Sequence, residues 1–309
     1  MKTLAIIVSY NFMPWIDRCL PSLLQSCEPV DVLVIDNASK DETVAHIREH
    51  YPQVRLISNT ENLGFGHANN IGMQIALDEG YDGVLLINQD AWLQPDALAQ
   101  LVAASLQHPD FGIISPIHLT GDGSKLDPGF ANYIEKGKLK MGNYSLRNDK
   151  KKPVHPDGNA QSSMLNVQFI NAALWYLPTS VIRKVGLFAP LFYHYGEDKD
   201  YVNRLHYHGY QIGYVPTAFG HHDRAERPFT RELFLRTERV YHLSEYANIN
   251  HAFPKAFAYG VLAPVKKAIQ ALAKGKVTDS LAFLGISFHL LAQSTQVYEA
   301  RFNAKKGKN

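Results

Sequence analysis

The first 115 residues alternate between short apolar runs and longer stretches whose apolar positions recur at helical spacing. LAIIVS, DVLVID, VRLIS, GVLLIN and GIIS fall around residues 4–9, 31–36, 54–58, 83–88 and 112–115. Short runs that are apolar throughout, rather than at every second position, suit strands buried on both faces. Between them, Asp17–Ser26, Lys40–His50, Gly66–Asp78 and Pro95–Leu106 have the length and pattern of helices. Ser39 and Glu42 have the spacing of a capping box that opens the second helix. Strands and helices in this alternation predict an α/β architecture, a parallel sheet covered on both faces.

Ligands of such sheets sit beyond the C-terminal ends of the strands. Those ends here read Ser9-Tyr10-Asn11, Asp36-Asn37 and Asn88-Gln89-Asp90, and all three are polar. A dinucleotide-binding domain needs a glycine-rich turn straight after its first strand, where backbone must approach a pyrophosphate. The turn SYNFMPW has no glycine, and the GFG of Gly64–Gly66 follows the third strand instead. The pattern argues against an oxidoreductase.

Five segments occur in order: IIVSYN, VIDNAS–DET, NLGFGHANNIG, LLINQD and, much later, YGEDKDYVNRLHYHGYQIGYVP–A–GHH. In that order and spacing, over roughly residues 3–250, the chain resembles inverting family-2 glycosyltransferases of the rhamnosyltransferase-like branch that builds bacterial surface polysaccharides. The resemblance implies a GT-A fold, Rossmann-like with a mainly parallel sheet flanked by helices. It implies a catalytic domain over 1–230, with a donor half (1–115) and an acceptor half (116–230), and a helical C-terminal extension over 231–309. It further implies a nucleotide-diphosphate-sugar donor (dTDP-rhamnose first, otherwise a UDP-sugar), a glycan or lipid-linked glycan acceptor, and a divalent metal, Mg2+ or Mn2+.

The resemblance also distributes roles. A leaving diphosphate gathers negative charge, which a divalent cation held by carboxylate and phosphate oxygens offsets. Asp90 matches the second aspartate of the family's D-x-D-like motif, while Asn88 stands where the first would be, so the metal is expected to arrive with the donor. The alternative is that Asp90 caps a turn. Asp36 matches the aspartate that holds the pyrimidine base, with Ser9 and Asn11 lining the pocket and Tyr10 offering a stacking face; an Asp-Asn turn bonded to its own backbone is the alternative. Asn62, Gly64 and Gly66 would let backbone approach the donor, with Asn69 or Asn70 binding its polar groups. Gly196-Glu197-Asp198 matches the signature whose aspartate is the general base, a role that falls to Asp198; alternatively these acids only favour a helix N-terminus. Asp200 and Arg204 are spaced to pair on that helix. Of His221 and His222, His222 fits better as a further metal ligand.

Composition adds limits. At 309 residues and 46% hydrophobic, the chain supports one large domain or two modest ones. MKTLAIIVSYN is too short for a signal sequence, and nowhere do about 18 apolar residues run together. Cys19 and Cys27 fall on one predicted helix and read as reduced thiols of a cytoplasmic protein. From His251 onward, nine lysines and arginines stand against two acids, a net +7; the whole chain is +2, so the first 250 residues carry −5. That balance argues against a nucleic-acid partner. It makes FAYGVLAPVKKAIQALAKGK a candidate for peripheral contact with an anionic membrane face, with packing against the domain or a second subunit as the alternative. Residues 121–162 read as a long loop near the acceptor, and Lys150–Lys152 as a solvated face. A catalytically silent sugar-nucleotide or glycan-binding protein is the remaining alternative, and the presence of both Asp90 and Asp198 argues against it.

Overall fold

The computed structural model describes residues 1–136, 164–224 and 230–308; Lys150–Lys152 lie outside them. The chain forms two compact units, one from residues 1–183 and 210–225, the other from 184–209 and 226–309.

The first unit is built on one sheet. In chain order its elements are β1 (Thr3–Ser9), α1 (Ile16–Leu24), β2 (Asp31–Asp36), α2 (Thr43–His50), β3 (Arg55–Ser58), α3 (Gly64–Asp78), β4 (Gly83–Asn88), β5 (Ala91–Leu93), α4 (Ala97–Gln107), β6 (Phe111–Thr120), α5 (Pro128–Lys136), β7 (Leu165–Val167), β8 (Leu174–Pro178) and β9 (Gln211–His222). Strand order is β3-β2-β1-β4-β8-β6-β9-β5, with β7 also on β9. The apolar runs are strands because both faces are covered: Ile6, Ile7, Leu33, Val34, Leu85 and Leu86 have no exposed surface. Burying each such side chain is worth about 1.5–3 kcal/mol. β1 pairs in parallel with β2 and β4, setting Ser9 opposite Asp36 and Val8 opposite Asn88. The three polar strand ends therefore share one edge of the sheet.

The sheet is mixed. β8 runs antiparallel to β4, and β5 and β7 run antiparallel to β9. β6 extends past the predicted 112–115 because β9 continues beside it, with a register shift at Pro116, which has no N–H to give the ladder.

Three local expectations are corrected. No capping box opens α2: Glu42 is its N-cap residue without a side-chain bond, and Ser39 donates instead to Asp36. α1 ends at Leu24, so only Cys19 is helical; it is buried, whereas Cys27 lies beyond the helix and is exposed. The expected loop after residue 121 contains α5, started by Asp127, whose Oδ1 accepts from the Phe130 N–H at 2.9 Å, with Pro128 at the first helical position.

α6 (Thr179–Val185) carries the chain out of the first unit. The second unit is helical: α7 (Glu197–Tyr207), α8 (Arg231–Ala247), α9 (Phe253–Phe257), a π-helical turn at Ala258–Leu262, α10 (Ala263–Ala273), α11 (Val277–Ala292) and α12 (Ser294–Lys305). Its core gathers Phe192, Tyr246, Ala256, Val261, Leu290 and Val297. The wide turn frees carbonyls that side chains then satisfy: His242 Nδ1 lies 2.7 Å from the Tyr259 oxygen, and the Ser287 hydroxyl donates to Val261 at 2.8 Å. Asp200 and Arg204 pair as expected, at 2.8 Å and buried. Among the described residues no helix is long and apolar enough to cross a membrane.

Candidate functional site

At the end of β2, Asp36 is 2% exposed and accepts from three donors. The Ser9 hydroxyl donates to Oδ1 at 2.9 Å, the Ser39 hydroxyl donates to the same oxygen, and the Ser39 N–H donates to Oδ2 at 3.0 Å. An ionised carboxylate has roughly four acceptor positions. About one remains open, on Oδ2. Asn11 braces the turn, its N–H donating to Ser39 Oγ at 2.8 Å and its Oδ1 accepting from the Lys40 N–H at 2.8 Å. Tyr10 is 44% exposed.

Gln89, which had no role in the sequence reading, clips this loop to the end of β4. Its Oε1 accepts from the Tyr10 N–H at 2.8 Å and its Nε2 donates to the Tyr10 carbonyl at 3.1 Å. The glycine-rich segment opens α3, where Gly64 takes φ 78° and its N–H donates to Asn62 Oδ1 at 2.9 Å. Gly66 is buried in the first turn. Asn69 is buried with its amide on the Phe65 carbonyl at 3.0 Å, so that group is already occupied within the helix.

Asp90 lies just past β4. Its side chain is 23% exposed, and Oδ1 is 3.4 Å from Nε2 of His222, itself only 3% exposed. β5 pairs with β9 so that Ala91 faces His222, which brings the imidazole to the carboxylate across 132 residues of sequence. His221, one step along the strand, turns instead to stack on Trp92 with ring centres 5.3 Å apart. Behind His222, its Nδ1 is 3.8 Å from Oδ2 of buried Asp127, and Arg224 Nε is 3.8 Å from the same oxygen. His118 adjoins them; burial, reinforced by the charges of His222 and Arg224, holds its pKa well below the usual imidazole value. Asp127 and His118 were missed in the sequence. The one available signal was the Asp127-Pro128 pair, which marks a helix start.

Asp90 and His222 fit a divalent cation. Two ligands about 2.1 Å from one ion at roughly 90–110° stand about 3.0–3.4 Å apart, and the observed separation is 3.4 Å. Asp127 lies behind the ring with Oδ2 3.8 Å from Nδ1, beyond hydrogen-bond reach, and both of these buried atoms lack a hydrogen-bond partner among the described residues. Among the described residues no third histidine, cysteine or carboxylate completes a protein-only site. Asn88 can offer only a neutral amide oxygen at this strand end.

In the second unit, Glu197 and Asp198 begin α7 behind Tyr195 (φ 69°) and Gly196 (φ 91°). Glu197 is buried with Oε2 lacking a donor, and burial, then the charge of Asp198, pushes its carboxyl up to about 8. Asp198 is half-buried and accepts from the Lys199 N–H at 2.7 Å. Among the described residues, the non-glycine positions with positive φ are Asn11, Ala38 and Tyr195. Each costs on the order of 1–3 kcal/mol, and such strain gathers where side chains are held for binding or chemistry.

The sheet order and flanking helices define the class, a GT-A fold. The structure of S. aureus TarS 1–349 in complex with UDP aligns with a TM-score of 0.52 and 14% identity, covering 99% of this chain and 89% of that one. The mannosyltransferase PcManGT from Pyrobaculum calidifontis, in complex with GDP-Man and Mn2+, aligns with a TM-score of 0.54 and 18% identity, covering 96% and 75%. The sequence profile of Glycosyl transferase family 2 matches residues 4–172, more than half the chain, and the chain belongs to that family. It is 29% identical over 232 residues to the N-acetylglucosaminyl-diphospho-decaprenol L-rhamnosyltransferase of Mycobacterium tuberculosis, a match covering 71% of this chain and 75% of that protein.

Proposed function

We propose that this glycosyltransferase moves a sugar, rhamnose first, from a nucleotide-diphosphate donor to a lipid-linked bacterial glycan, with inversion and with a divalent cation. The observation that carries the reading is Asp90 beside His222 at the diphosphate end of the sheet, at a spacing suited to one ion. The mycobacterial relative, by its name a transferase of L-rhamnose to a diphospho-decaprenol carrier, supports rhamnose and a lipid-linked acceptor. dTDP-rhamnose is therefore the first donor to try and a UDP-sugar the second.

In this reading Asp36, Ser9, Asn11 and Tyr10 receive the base, Gly64 and Gly66 the donor backbone contacts, and Asp90 and His222 the cation, Mg2+ or Mn2+. The cation, when bound, offsets the charge that develops on the leaving diphosphate. An acceptor hydroxyl is a weak nucleophile near neutral pH, and Asp198 takes its proton as the new bond to the anomeric carbon forms. Attack opposite the leaving diphosphate inverts the centre. Glu197 keeps its own proton at neutral pH, which leaves Asp198 as the acceptor of the pair. The assay is transfer from dTDP-rhamnose to an N-acetylglucosaminyl-diphospho-prenol. Asp198→Asn should keep donor affinity and lower turnover by roughly 10²-fold or more. Near-normal turnover in that variant removes Asp198 from the mechanism; donor binding with no turnover of any sugar nucleotide indicates a silent binding protein.

A lipid-linked acceptor implies work at a membrane face. Leu262, Ile269, Leu272, Leu281 and Phe288 are 52–68% exposed. Lys266, Lys274 and Lys276 fall among them in sequence, the combination that favours anionic lipid surfaces. Not all of the tail's charge is available: Arg301 is buried on the carbonyls of Tyr246, Asn248 and His251, and Lys267 pairs with Glu238. Flotation with anionic liposomes should decline with salt and disappear on truncation at His251. Equal partitioning of the two chains would contradict membrane docking.

A further inference from the structure

The helical unit contains a cavity of about 1180 Å³ lined by residues 191–195, one face of α8 and one face of α11. That is somewhat larger than the roughly 300–1,000 Å³ of ordinary small-molecule sites. Leu235, Leu243 and Ile286 make its walls apolar, while α8 also turns Arg231, Arg236 and Arg239 to it. The three arginines are not equivalent. Arg231 is tied to Asp279 at 2.9 Å. Arg236 lies with its guanidinium 4.7 Å from the centre of the Tyr195 ring, a stacking that orders the planar fork without neutralising it. Arg239 has no carboxylate partner among the described residues. Glu232 is the single acid in the described lining, so the cavity combines an apolar wall with net positive charge. Arg236 and Arg239 are three apart on α8 and share a face. Glu197, near Arg236, is a buried carboxyl that holds its proton near neutral pH and so cancels none of this charge.

We infer that this cavity receives the prenyl diphosphate of the acceptor, with Arg236 and Arg239 on the diphosphate oxygens and the first isoprene units along Leu235, Leu243 and Ile286. Guanidinium forks suit phosphate oxygens because two parallel N–H donors match two acceptors. The chain itself links anchor and chemistry: Tyr195 lines the cavity and Asp198 follows three residues later, at most about 11 Å along an extended backbone. A sugar carried on the diphosphate bridges that interval. This inference rests on the acceptor reading above, but its test does not need turnover.

The probe is geranylgeranyl diphosphate, titrated calorimetrically into the full chain below its micelle concentration with saturating dTDP to occupy the donor site. Geranylgeraniol and inorganic diphosphate are the two half-ligands. The prenyl diphosphate should bind at least tenfold more tightly than either half, and Arg239→Ala and Arg236→Ala should each weaken it about tenfold or more. Gly285→Leu supplies a second, independent test. Gly285 lines the cavity, and a Cβ added there meets nothing within 4 Å, so the larger side chain fills the cavity from a helix position that accepts it. That variant should fold with equal or greater thermal stability and lose prenyl diphosphate binding. Unchanged binding in all three variants, or inorganic diphosphate binding as tightly as the prenyl compound, overturns the inference. Binding as expected without any sugar transfer would instead count against the proposed function alone.

Discussion

Asp36 and Asp90 both end a buried parallel strand of the same sheet, yet their surroundings differ in the feature that decides what each can bind. Asp36 is filled by three donors, the Ser9 hydroxyl from the end of β1 and the hydroxyl and N–H of Ser39 from its own turn. Asp90 keeps a quarter-exposed side chain whose described side-chain neighbour is the imidazole of His222, a metal-ligand type, at 3.4 Å. A carboxylate filled by its turn and the neighbouring strand shapes a pocket and offers one remaining acceptor position. A carboxylate left open beside an imidazole nitrogen has the donor set and spacing that suit a cation. In the proposed function the strand ends divide the donor between them, base toward Asp36 and diphosphate toward Asp90.

Substitutions sharpen that division. Asp90→Ala should have the largest effect on turnover, a loss of about 10²–10³-fold, the scale on which removing one charge-stabilising group acts. Its unfolding free energy should stay within about 1 kcal/mol of wild type, because the side chain is partly exposed and its one described side-chain partner, His222, stands at 3.4 Å. Asp36→Ala should reverse the pattern. It strands the buried Ser9 hydroxyl, at a cost of about 1–3 kcal/mol, and the part-buried donors of Ser39, so a loss of roughly 2–4 kcal/mol in urea denaturation is expected together with weaker nucleotide affinity. Ser39→Ala, which removes one donor to Asp36 and also the acceptor of the Asn11 N–H, should cost about 1–3 kcal/mol. If the stability cost falls on Asp90 and not on Asp36, the comparison is wrong.

Glu197 supplies the third case, a carboxylate as buried as Asp36 but without a donor on Oε2. Its folded-state pKa is raised from 4.5 to about 8. The native state therefore keeps a proton that the unfolded chain releases, and stability should fall as pH rises between about 4.5 and 8. Glu197→Gln removes that slope. Denaturation of both proteins at pH 5 and pH 8 should show the variant gaining on wild type at the higher pH. The gain should be at most a few kcal/mol, because each tenfold change in proton affinity on folding is worth about 1.4 kcal/mol. Parallel behaviour at the two pH values would mean that Glu197 is ionised in the fold.

The sheet was legible because continuous apolar runs have few alternatives: β2 and β4 match the sequence pattern residue for residue, and β1 and β3 to within one. The polar strand ends were legible for the same reason, since a break in such a run is conspicuous. Ser39 was misread because a capping box and a serine serving Asp36 have the same local spacing, and only the fold of the β2–α2 turn separates them. Gln89 and Asp127 were silent because their partners, Tyr10 and His222, lie 79 and 95 residues away. The grouping of residues 184–209 with the C-terminal helices, and the cavity there, follow from tertiary packing that no local pattern encodes.

Calorimetric titration of Mn2+ with and without the nucleoside diphosphate tests the central claim most directly. Asp90 and His222 supply only two of the roughly six ligands that Mn2+ takes, so metal affinity should be weak in the free chain. It should rise at least tenfold with nucleotide present, as phosphate oxygens complete the coordination. Asp90→Ala should abolish that mutual enhancement, while Asp36→Ala should leave the coupling and lower only nucleotide affinity. Full metal–nucleotide coupling in Asp90→Ala would contradict the account and leave Asp90 a turn residue.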